Sequence, residues 1–60
     1  MKDEQKEAIK QEIREEASRT KYFTTTSAFY FLSGYRDITL HEACQIITEM
    51  RGEDPYPFYD

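Results

Sequence analysis

Apolar side chains recur along this chain at helical spacing in some stretches and cluster without period in others. Between residues 3 and 21 they are sparse, and Ile9, Ile13 and Ala17 form a single row four residues apart. Around that row stand Glu, Lys, Gln, Ala and Arg, all good helix formers. Asp3, Glu4 and Glu7 come early, and Arg19 and Lys21 come late, which suits the helix dipole. Glu15 and Arg19 make a favourably oriented i,i+4 pair, whereas Lys2, Lys6, Lys10 and Arg14 form a like-charged row that works against the helix. The pattern predicts a helix over 3–21 with a narrow apolar stripe, a fraying start, and the least commitment to the core. A coiled coil is excluded, because the heptad continuing from Ile9 and Ile13 meets Glu16 and Thr20.

The next stretch supports two readings. Tyr22-Phe23-Thr24-Thr25-Thr26 favours extended backbone and interrupts the first helix. In one reading Thr25 or Thr26 caps a short helix over 27–33, with Gly34 as its C′ stop and Ala28, Phe31, Leu32 and Tyr35 as its buried face. In the other, Ser33-Gly34 is the turn of a hairpin with strands near 28–32 and 35–38. The hairpin mixes apolar and charged residues on each face, so the helix is the preferred reading.

Residues 39–51 carry the clearest signal. Thr39-Leu40-His41-Glu42 matches a capping box, Leu40, Ala43, Cys44, Ile47 and Met50 share one helical face that Ile46 widens, and Gly52 supplies the stop. Residues 53–60 cannot be helical, because Pro55 and Pro57 remove donors and impose an extended path. The predicted fold is mostly α: a small three-helix domain over 1–52, with an extended Pro/aromatic tail over 53–60. The alternative is an α+β helix–hairpin–helix. The expected core is Ile9, Ile13, Ala17, Phe23, Phe29 or Phe31, Leu32, Leu40, Ala43, Cys44, Ile47 and Met50.

Length then bears on stability. Sixty residues make one domain at most, and a domain of about this size buries only roughly 60% of the surface its unfolded chain exposes. One cysteine excludes an internal disulfide, and no Cys/His cluster suggests zinc, so self-association or a partner is the remaining source of support. The lone cysteine, the charged start and the lack of any long apolar run fit a cytoplasmic protein with no membrane association.

Charge is unevenly placed. Residues 1–21 carry six basic and six acidic side chains, whereas residues 22–60 carry two and six, which accounts for the whole net charge of −4. All nine aromatics lie between Tyr22 and Tyr59. An acidic surface repels nucleic acid and anionic membranes and suits a basic protein partner.

Candidate chemistry is thin. His41 and Cys44 are the only residues of their kinds and stand three apart, near a helix start that favours a thiolate. Cys44 lies on the apolar face and reads as core, while His41 reads as solvent-facing. No second ligand pair, nucleophile–base set or Gly-rich phosphate loop accompanies them, so no catalytic, cofactor or metal residue is predicted. A helix-turn-helix reading would present His41, Gln45, Thr48 and Arg51 to base edges, but Glu42 and Glu49 share that helix and the cations for phosphate contacts are missing.

The tail is the sharper feature. Tyr56, Phe58 and Tyr59 stand between Asp54 and Asp60, and alternating prolines pre-extend them for docking, either on a partner or back over the domain's own core. The Ile9/Ile13 stripe is a second candidate surface, for a partner's groove or for a second copy in a homo-oligomer. The expectation is a small non-enzymatic interaction module acting as a regulator, inhibitor or adaptor. Its contact residues would be Tyr56, Phe58, Tyr59, Asp54, Ile9 and Ile13, with a DNA-binding regulator as the alternative. Small acidic chains of this kind are common among accessory and phage-encoded regulators, an association of composition alone.

Overall fold

The computed structural model describes residues 2–60. Three helices follow in order: α1 (Asp3–Arg19), α2 (Thr25–Leu32) and α3 (Leu40–Met50). Among the described residues there is no strand, so 28–38 is not a hairpin.

α1 stops at Arg19, two residues short of the expected end. Thr20 is already extended, at φ −106° and ψ 119°. β-branched and aromatic side chains from Thr20 onward disfavour further helix, and the turn that follows sends Phe23 into the core, where it is 5% exposed. Arg19 pairs with Glu16, one turn back, rather than with the expected Glu15.

α2 begins two residues earlier than expected, because the cap is Thr24 and not Thr25 or Thr26. The Thr24 hydroxyl accepts the Ser27 amide at 3.2 Å. At its other end the chain leaves through tight i→i+3 bonds, with the Gly34 amide on the Phe31 carbonyl and the Tyr35 amide on that of Leu32. Gly34 does not adopt positive φ, so it is not the left-handed C′ residue expected of it, and neither is Gly52.

α3 carries the capping box as expected. The Thr39 hydroxyl accepts the Glu42 amide at 3.1 Å, and the Glu42 carboxylate accepts the Thr39 amide at 3.0 Å. That amide holds the Glu42 carboxyl below its ordinary range.

α3 packs against both α1 and α2. Its buried face is therefore Ala43, Ile46, Ile47 and Met50, with Ile46 and Met50 fully enclosed. The helix is turned so that Ile46 is central and Cys44, about 100° around from Ala43, faces solvent. Leu40, at the open first turn, is 76% exposed. Both had been expected in the core. Ile9, Ile13, Phe23, Ala28 and Leu32 complete it, with Phe58 from the tail, and Ala17, Phe29, Phe31, Tyr35 and Ile38 pack around it. α1 is thus fully committed, with Ile13 at zero exposure.

The cationic row of α1 has an unexpected use. Lys6 and Lys10 both bind the Glu49 carboxylate of α3, Lys10 at 2.7 Å. Arg14 binds Glu53 just beyond α3 with two parallel bonds, 2.9 Å from Nε and 2.8 Å from Nη2. Residues four apart share one helix face, so the spacing that repels within α1 aligns three cations along the seam with α3. Among the described residues, no buried side-chain nitrogen or oxygen lacks a hydrogen-bond partner.

Candidate functional site

Residues 53–60 leave α3 without helix and turn back across the molecule. Phe58 stacks on Phe23, with ring centroids 6.4 Å apart and planes 21° from parallel. The Tyr59 amide donates to the Phe23 carbonyl at 2.8 Å. The Asp60 carboxylate accepts the Thr25 amide at 3.0 Å and the Thr25 hydroxyl at 2.9 Å, and lies 3.3 Å from the Arg51 guanidinium. Burial disfavours its charge, but the hydroxyl and amide of Thr25 outweigh this and hold the Asp60 carboxyl below its usual range. The tail thereby takes up one of the free amides that every helix start leaves, here that of α2.

With the tail docked this way, the residues proposed for partner contact divide. Phe58, Ile9 and Ile13 are buried, at 6%, 3% and 0% exposure. Their apolar surface faces the domain's own core, so in the folded chain they are not a contact surface. Tyr56, Tyr59 and Asp54 remain exposed.

Tyr59 meets Tyr22 edge to face at 4.8 Å, and Tyr56 meets Phe58 edge to face at 5.7 Å. Lys21 lies 5.4 Å from the Tyr22 ring centre, and the Arg51 guanidinium lies 5.8 Å from that of Tyr56. The result is an aromatic crest in two parts, the Tyr22–Tyr59 pair and Tyr56, beside the buried Phe23–Phe58 pair. Sequence reasoning missed Tyr22 and Arg51 as members. The aromatic run at 22–23 was a usable signal for Tyr22, whereas only the docked tail brings Arg51 there.

His41 and Cys44 lie side by side on the open face of α3 with Gln45, Thr48 and Glu49. Among the described residues, no three of His, Cys, Asp and Glu are gathered to hold a metal ion. Arg51, the one cation of the supposed recognition helix, is held by the Thr25 hydroxyl at 2.6 Å and by Asp60. No helix among the described residues is long and apolar enough to cross a membrane. No known family, curated protein or solved structure matches the chain.

Proposed function

We propose that this chain is a small non-enzymatic protein–protein interaction module, acting as a regulator, inhibitor or adaptor through its aromatic crest. The supporting observation is that Tyr22, Tyr56 and Tyr59, at 56%, 39% and 64% exposure, stand on a fixed platform. Tyrosine and arginine are the residues that most often dominate binding energy, and side chains held in place before binding lose little entropy on docking. Because Phe58 is anchored beneath them, the tyrosines present a surface rather than a free peptide.

The test is recovery of a partner from a nuclease-treated lysate of the host, with Tyr56→Ala/Tyr59→Ala as control. A protein bound by the native chain and lost with the variant, at equal helicity by circular dichroism, supports the crest. Binding that survives the double substitution rules it out as the contact. A partner that proves to be a second copy makes the module a homo-oligomer.

A second reading, a DNA-binding regulator, draws on the exposed polar face of α3, where His41, Gln45 and Thr48 are open. It predicts a salt-dependent mobility shift with duplex DNA, and the absence of a shift at low salt ends it.

A further inference from the structure

Two clefts flank the C-terminal half of α1. One, about 360 Å³, lies between α1 and the tail; Ala17, Pro55 and Pro57 line it, with Asp54 and the Arg14–Glu53 pair. The other, about 370 Å³, lies between α1 and the end of α2; Phe31 and Tyr35 line it beside Glu12, Glu15, Glu16 and Arg19. Both fall within the size range of ligand sites.

Charge is concentrated there. The two linings hold five carboxylates and two guanidiniums, and so carry three of the chain's four net negative charges. Both guanidiniums are already held, Arg14 by Glu53 and Arg19 by Glu16, so neither is free for an anionic ligand. Glu15 and Asp54, by contrast, are exposed and make no ion pair among the described residues.

The apolar parts of the linings matter as much. Phe31 and Tyr35 stand 5.7 Å apart, half-buried, next to carboxylates. A cation beside an aromatic ring and a carboxylate is attracted by both. Ala17 and the proline rings offer the surface on which the methylene stem of a long basic side chain packs while its charged end stays at the rim. Phosphate backbones and anionic lipid are repelled by the same field.

We propose that the two clefts, one on each flank of α1, dock a basic segment of the partner protein that crosses the exposed ridge of this helix, with one arginine or lysine side chain in each cleft. The proposal rests on the interaction-module reading and specifies the chemistry of the partner. The tail joins the two surfaces, since Tyr56 of the crest lies between the two prolines that line the first cleft.

The experiment uses the full chain and a fluorescein-labelled octapeptide of alternating arginine and glycine, read by anisotropy at low salt. Two double variants remove the same charge from different places: Glu15→Gln/Asp54→Asn at the clefts, and Asp3→Asn/Glu4→Gln at the far end of α1. The cleft variant should bind about tenfold more weakly and the distal variant within about twofold of the native chain. Amide shifts in nuclear magnetic resonance spectra should concentrate in residues 12–19 and 31–35 and in Glu53, Asp54 and Tyr56.

Equal weakening by both variants would mean that only net charge matters, and would overturn the proposal. So would failure of the native chain to bind the peptide, or shifts centred elsewhere. A partner captured through the tyrosine crest, with no peptide in the clefts, would keep the interaction-module reading and remove this one.

Discussion

Gly52 follows α3 without adopting positive φ, and a Cβ built there meets nothing nearer than the Glu49 carbonyl oxygen, at 3.5 Å. That is ordinary contact, so alanine fits the folded chain while narrowing the unfolded ensemble. Gly52→Ala should raise stability by about 0.4–1 kcal/mol, seen as a higher urea midpoint at unchanged slope. A lower midpoint would mean that the left-handed geometry usual at helix ends is needed after all. Cys44 and Ile46 teach a related lesson. Two residues apart on α3, they stand about 200° apart around the helix, so enclosing Ile46 exposes Cys44.

At the scale of elements, the α1–α3 seam contributes to the response to pH, beside the depressed carboxyls of Glu42 and Asp60. The hydrogen bonds from Lys10 and Lys6 hold the Glu49 carboxyl below its ordinary range, and Arg14 does the same to Glu53. A carboxyl whose folded pKa is depressed stabilises the fold above its unfolded value, about 4.3, and the contribution is lost as pH falls through the folded value. Lys10 is raised by its bond to Glu49, so its contribution is full below about 10.4 and fades as pH rises through the folded value. Stability should therefore be flat from roughly pH 5 to 10 and fall on either side. Glu53→Gln should make the acid limb shallower in urea midpoints measured from pH 7 down to pH 2. An unchanged limb would place the acid sensitivity in other carboxylates.

The whole molecule has little stability in reserve. A chain of this length has on the order of 3–9 kcal/mol in all. Phe58 closes the core at Phe23 from the tail, one of the two dockings that the sequence left open. Phe58→Ala should cost about 3 kcal/mol, a large part of the total, and lower the thermal midpoint followed by far-ultraviolet circular dichroism. If the midpoint does not move, the tail is not part of the cooperative unit. The contrast with Tyr59 is informative, since it is mostly exposed and its removal should leave the midpoint nearly in place.

Local signals were legible in the residues themselves. The helix-forming run of α1, the Thr39–Glu42 capping box and the prolines of the tail each act within a few residues, and the three helices follow from them. Their short range also explains the small errors: Thr24 took the cap that a neighbouring threonine would have served equally well. Decisions between distant parts were not legible. Which arc of α3 is buried depends on α1 and α2 together, and whether Lys6, Lys10 and Arg14 repel or bind depends on Glu49 and Glu53, some forty residues away. The candidate site divides along the same line. Tyr56 and Tyr59 stand out in any reading of the tail, and Ile9 and Ile13 already belong to the core the sequence predicts, but only packing shows that Phe58 is enclosed and that Tyr22 and Arg51 join the crest. Sequence determines what each segment prefers; the tertiary structure decides which preferred surfaces meet, because burial and ion pairing depend on neighbours that local spacing does not encode.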